Sequence, residues 1–196
     1  MALGISQFKG KFEGGARSNL FKVKIGTPTG VTIEGEQLEF LVKSTTLPAS
    51  TVEVLNVPFR GRDLKIAGKR SFEPWSVTVI NDQNFDLRTA FETWSANMSY
   101  HDVNSSKYDL NNDSYLQDAQ VYQLAHKGGD HVNAYSYTFV GLWPSSIAAI
   151  PLESEGENIE EFAVEFQYQY WFSNKGAAEI NSKTGGLIGS SGSAGS

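Results

Sequence analysis

Side chains able to attack, transfer protons or hold metals are few in this chain. Among its 196 residues there are three histidines and no cysteine. Thiol nucleophiles, thiolate zinc sites and disulfide frameworks are therefore absent together, which fits folding in a reducing compartment. His126 and His131 bracket Lys-Gly-Gly-Asp in a turn-like stretch, without the i, i+4 helical spacing and intervening Glu of a metalloprotease pair. They read as solvated turn histidines, and His101 stands alone in a polar segment. Asp109, Asn111 and Asp113 occupy positions one, three and five of a calcium-loop spacing. The match then fails, because Ser114 replaces the turn glycine and Gln120 replaces the closing glutamate. The stretch Ala67 to Ser71 resembles a phosphate loop, but Asp63 and Arg70 stand where Gly and Ser/Thr are required. Asn-x-Ser triplets begin at Asn97, Asn104 and Asn112, and carry no weight without a secretion signal. No catalytic residue, metal ligand or cofactor is expected.

Charge is more informative. The net charge is −6, with 12 basic and 10 acidic residues in positions 1–100 and 4 and 12 in positions 101–196, so the halves carry +2 and −8. The pI near 5.1 disfavours a protein that grips a phosphate backbone through many Lys and Arg contacts. Arg60, Arg62, Lys65, Lys69 and Arg70 fall within eleven positions, while Glu153, Glu155, Glu157, Glu160, Glu161 and Glu165 fall within thirteen. In a monomer both runs are solvated faces. In an assembling protein they invite pairing between subunits, which sets register more than it adds affinity.

The elements that must position these residues follow from hydrophobic period. Composition is ordinary globular, with 40% apolar and 12% aromatic residues and a mean hydropathy of −0.31; a chain of this length buries roughly 70% of its extended surface without staples. No apolar run nears 18 residues and the start meets a charge at Lys9, so neither a membrane span nor secretory targeting is expected. Two-residue alternation dominates, giving a mainly β chain with one helix. Asn19–Ile25 and Leu38–Lys43 read as paired strands. Residues 51–70 read as a hairpin arm bending near Phe59 to Asp63, too polar for a core. Trp75, Val77 and Val79 alternate cleanly, and Asn81-Asp82 offer cap chemistry to a helix at about 84–98, where Leu87, Phe91, Trp94 and Met98 share one face. A polar loop at 100–115 precedes strands at 115–126, 134–143 and 159–172. In the last of these, Phe162, Val164, Phe166, Tyr168 and Tyr170 share one face, opposite Glu161, Ala163, Glu165, Gln167 and Gln169. Residues 173–196, with a Gly/Ser-rich end, hold no core pattern and are expected to be flexible in isolation, like any such linker. The domain plan is an N-terminal segment 1–18, a β domain 19–172 and this tail.

The stretch Thr45–Trp94 carries a family resemblance. Its Leu-Pro break, the arm Val57-Pro58-Phe59 with Arg62 and Lys65-Ile66-Ala67-Gly68, and the strand Trp75–Asp82 leading into the helix lie between an earlier Asn19–Ile25 strand and later Gly141–Ile147 and Tyr170–Phe172 segments. In this order the chain resembles the tail tube protein of contractile-tailed (myovirus) bacteriophages. The resemblance implies an antiparallel β-sandwich or barrel flanked by one α-helix, assembling into hexameric rings that stack into a rigid inner tube for DNA ejection, with no catalytic site. It implies a sheath, a baseplate, a tape-measure protein and a tail terminator as partners, a virion location with assembly in the host cytoplasm, and genomic DNA passing through the lumen without specific binding.

DNA slides past an acidic or neutral wall more easily than past a basic one. Glu161, Glu165, Gln167 and Gln169 are thus the candidate lumen wall. Phe59, Arg60, Arg62, Lys65, Lys69 and Arg70 are the candidate inter-subunit or inter-ring arm, and Glu153, Glu155 and Glu157 the candidate acidic interface loop. An alternative is the inner tube of a type VI secretion or extracellular contractile injection system, whose lumen carries protein. A monomeric all-β binding module or hydrolase is disfavoured, since the carboxylates lie along one strand face and one loop rather than converging from several elements.

Overall fold

The computed structural model describes residues 4–12, 16–33, 35–47, 49–100, 105–108, 114–127, 130–153 and 158–174. Their elements run α1 (Ile5–Phe12), β1 (Phe21–Ile25), α2 (Gly35–Leu41), β2 (Val42–Thr45), β3 (Ser50–Phe59), β4 (Arg62–Phe72), β5 (Trp75–Ile80), α3 (Asp86–Met98), β6 (Gln117–Lys127), β7 (Asp130–Ile147), β8 (Glu161–Gln167) and β9 (Tyr170–Ser173). Seven strands form an antiparallel sheet in the order β1-β6-β7-β8-β5-β2, with β9 also against β7; β3 and β4 pair only with each other.

The long strand β7 makes the sheet fold over on itself. Its first part pairs with β6 and β9, while Trp143–Ile147 pairs with β8. The change of direction falls near Gly141, whose φ is +67 and whose missing Cβ would lie 2.8 Å from the Gln169 side chain. Only glycine combines that backbone with that contact at no cost. The two halves of the sheet then face each other as an open sandwich, with Trp75 stacked on Phe139 at 4.5 Å between centroids. Trp75, Val77, Val79, Phe162, Val164 and Phe166 are all buried. This is the alternation read from the sequence, and Trp75↔Phe166, Val77↔Val164 and Val79↔Phe162 are cross-strand neighbours.

Helix α3 closes one side of this core. Leu87, Phe91 and Trp94 are buried, and Phe91 meets Phe162 and Phe166 edge-on. The cap comes from Asp82, whose carboxylate accepts from the backbone N–H groups of Asp86 at 3.1 Å and Leu87 at 3.3 Å; Phe85 enters the helix with a left-handed φ of 60. At the other end the loop folds back, with the Lys107 N–H donating to the Asn97 carbonyl and Tyr108 buried beside Asn97.

Three expectations need correction. Two further helices, α1 and α2, join α3 among the described residues. The segments 19–25 and 38–43 do not pair: β1 lies on β6 and β2 on β5. Leu38 is buried and Leu41 partly so, a three-residue spacing that winds residues 35–41 into α2 and leaves a strand only from Val42. The last strand is not continuous. It breaks at Tyr168-Gln169, where Gln169 donates its N–H to the Val140 carbonyl, and resumes as β9 with inverted phase, so that Trp171 packs inward while Tyr170 is exposed. The tail beyond 174 lies outside the described residues.

Candidate functional site

The arm is a free-standing hairpin. Ser50–Phe59 and Arg62–Phe72 pair along their length, and the turn is made by Arg60 at φ 46 and Gly61 at φ 83. Positive φ at both central residues is the type I′ geometry that matches strand twist. Every described residue from Thr51 to Ala67 is exposed. The register places Leu55 opposite Ile66, Val57 opposite Leu64 and Phe59 opposite Arg62, so Leu55, Val57, Phe59, Leu64 and Ile66 share one face. All five remain exposed, Phe59 at 57% and Leu64 at 58%. A contiguous apolar face of this kind on a projecting hairpin marks an interaction surface.

The cations distribute around that face. Arg60 sits at the tip with its guanidinium 5.4 Å from the Phe59 ring centre, and Arg62 lies on the apolar face. Lys65 is on the opposite face, paired with Asn56. Lys69 falls at the register irregularity near the arm's base, and Arg70 donates to Ser50 Oγ at 3.3 Å. Counting charges alone had marked this arm as polar. The alternating Leu55-Val57-Phe59 and Leu64-Ile66 were legible signals of an apolar stripe within it.

The base of the arm is clamped. Trp75 Nε1 donates to Thr45 Oγ1 at 2.8 Å, where the chain leaves β2 and re-enters β5. Tyr168 donates its hydroxyl to the Glu73 carbonyl at 2.7 Å, and its ring contacts Phe72 at 6.0 Å. Burial, reinforced by the nearby Glu73 charge, pushes the Tyr168 phenol up to about 12.

The polar face of β8 is the second candidate surface. Glu161, Ala163, Glu165 and Gln167 all turn away from the buried Phe162, Val164 and Phe166. Their neighbours across the sheet are Ile80, Thr78, Ser76, Ser146 and Trp143, so the face is mostly small and hydroxylic. Lys43, absent from the sequence-derived candidates, reaches across β5 and places its ammonium 2.6 and 2.8 Å from the two Glu161 oxygens. The cation is held by a carboxylate and Glu165 stays exposed. Gln169 leaves this surface at the strand break and lies over Gly141 instead.

Glu153 is exposed in the coil after β7, while Glu155 and Glu157 lie outside the described residues. His126 and His131 are cross-strand partners in the backbone register of β6 and β7. His101 and residues 109–113 of the calcium-like stretch lie outside the described residues. Among the described residues no group of three His, Asp or Glu could hold a metal ion.

A sheet folded over a single core, with a projecting hairpin and a smooth polar face, defines a building block of an assembly. Residues 16–174 match the phage tail tube protein family, and the chain belongs to that family. It is 33% identical over 165 residues to the tail tube protein gp19 of Enterobacteria phage T4, across 82% of this chain and 94% of that one. It is 24% identical to the tail tube protein of Serratia phage KSP90, over 84% and 93% of the two chains. A chain of the sheath–tube complex of an extracellular contractile injection system shares its fold, with a TM-score of 0.55 at 10% identity over 88% of this chain and 98% of that one.

Proposed function

We propose that six copies of this chain close into a ring, that rings stack into the inner tube of a contractile phage tail, and that DNA leaves through the lumen. The observation that carries the reading is the hairpin of β3 and β4, whose apolar face is exposed among the described residues. A second copy is the natural cover, since contacts between different patches of identical subunits generate rings and open tubes. Among the described residues the edge strands β1 and β2 each have one unpaired side within the sheet, and closure into a ring removes such edges.

The β8 face with Glu161, Glu165 and Gln167 is the lumen wall in this reading. Its cation is Lys43, held by Glu161, so passing phosphates meet hydroxyls, amides and net negative charge rather than free ammonium groups. The sheath, baseplate, tape-measure protein and terminator are the partners such a tube requires, the acidic coil at Glu153 is an interface element, and the chemistry is mechanical rather than catalytic. DNA rather than protein is the cargo, because the 33% likeness is to a phage tube whereas the injection-system likeness is 10% and is one of fold. Arg60→Glu with Arg62→Glu should leave the chain folded but lower the yield of pelleted tubes at least tenfold. Wild-type yield from a folded double variant would remove the arm from assembly.

A further inference from the structure

Helix α2 occupies a stretch whose alternation is that of a strand. Along Leu38-Glu39-Phe40-Leu41-Val42-Lys43, the apolar Leu38, Phe40 and Val42 recur at every second position, the spacing that puts side chains on one face of a strand. The chain instead winds Gly35–Leu41 into seven residues of helix, which run into β2 at Val42 with no residue between. An isolated helix shorter than about 12 residues is marginal in water, so α2 depends on what it packs against. Leu38 is buried, Leu41 is partly buried, and Glu39 pairs with Lys22 of β1 at 3.0 Å. Phe40 is left out: at 80% it is the most exposed large apolar side chain among the described residues.

The neighbouring strand is longer than β2 needs. Val42 lies opposite Val79, and the same antiparallel register carried outward sets Leu41 opposite Ile80 and Phe40 opposite Asn81. On its far side β5 is engaged along this stretch, where Ile80 pairs with Glu161 and Asn81 donates its N–H to the Glu160 carbonyl. On the side of β2 the pairing stops at Val79, and Asn81 Oδ1 is buried with no hydrogen-bond partner among the described residues. Among those residues β2 is also an edge of the sheet, and it holds only four residues. A very short edge strand is one of the devices that keep sheet edges from pairing at the wrong time.

Resting on the tube reading, we infer that α2 is the form the front of β2 takes in an unassembled copy, and that ring closure draws residues 38–41 out of the helix into a longer β2. The helical form keeps Leu38 buried and the Lys22–Glu39 pair intact. The extended form turns Phe40 to the side of the buried Val42, and gives the backbone of residues 39–41 partners on β5 and on an edge of the neighbouring copy. A lone copy offers only the first of those partners and keeps the helix. A neighbour shifts the balance because it pairs with the extended form alone. Each copy therefore presents its long edge only where another copy is there to cover it.

Isotope-labelled phenylalanine in the full chain reads the conformation of Phe40 directly, and a Phe40→Tyr chain identifies its signal among the twelve phenylalanines. The expected result is helical Cα and Cβ shifts in the unassembled chain by solution NMR, and extended shifts in assembled tubes by solid-state NMR. The same conformation in both samples overturns the switch and leaves the tube reading standing. Failure of the wild-type chain to assemble, alone or on baseplates, overturns both. Two substitutions supply a second measurement. Phe40→Leu keeps more apolar surface and favours helix, whereas Phe40→Val keeps less and favours strand. A required strand gives Phe40→Val a critical concentration for tubes about fivefold below that of Phe40→Leu. Equal values, or the reverse order that apolar burial alone produces, overturn the switch.

Discussion

Truncating the aromatic at the arm tip isolates the contribution of the apolar face to assembly. Phe59 retains 57% of its surface in the lone chain, and an aromatic side chain offers about 200 Å² for burial. Covering the remainder removes roughly 110 Å² from water, which at about 25 cal/mol per Å² is worth close to 3 kcal/mol as an upper bound. Phe59→Ser should thus raise the critical concentration for tube formation by up to about 100-fold, since each 1.4 kcal/mol is tenfold. The isolated chain should hardly notice, because exposed positions usually change stability by less than about 0.5 kcal/mol. The assay is sedimentation of tubes across a concentration series, with unfolding followed in parallel on unassembled protein. A critical concentration within threefold of wild type, at unchanged stability, would refute the claim that this face is buried between copies.

Other predictions concern the core, the clamp and the lumen. Phe166→Ala removes a fully buried ring lying between Trp75, Phe91 and Trp94. It should cost about 3–5 kcal/mol and lower Tm by roughly 10 °C in calorimetry. Tyr168 has a folded pKa of about 12 against an ordinary 10, so its stabilisation is complete below pH 10 and is lost as pH rises toward 12. Tyr168→Phe should flatten the fall in urea midpoint across that window, and an unaltered fall would detach the effect from this residue. Glu161→Lys with Glu165→Lys should leave rings intact but slow DNA ejection from virions by introducing free cations beside Lys43. Wild-type ejection kinetics would place this face elsewhere.

Where local period and final packing agree, the fold was legible in the sequence. The alternation of Trp75, Val77 and Val79 and the helical spacing of Leu87, Phe91 and Trp94 are both realised as buried faces. Pairing was less legible, because β1 finds its partner β6 about a hundred residues away and nothing near Phe21 encodes Val121. The break at Tyr168-Gln169 carries no Gly or Pro signal of its own. Its cause is Gly141 on the partner strand, which lets β7 turn and takes β9 with it. The lumen candidates separated for the same reason, with Gln169 carried off the face that Glu161, Glu165 and Gln167 share. Lys43 was hidden because its role depends on reaching across β5 to Glu161. The arm stands out in the sequence by its charges, and the alternation of Leu55-Val57-Phe59 and of Leu64-Ile66 was legible beside them; that the two sets share one face follows from the register.

Self-assembly is the central claim, and electron microscopy of the purified chain across a concentration series, with light scattering for mass, tests it most directly. The account predicts six-fold rings or hollow tubes whose fraction rises steeply with concentration. A monomer at every concentration, persisting after seeding with purified baseplates, would contradict it.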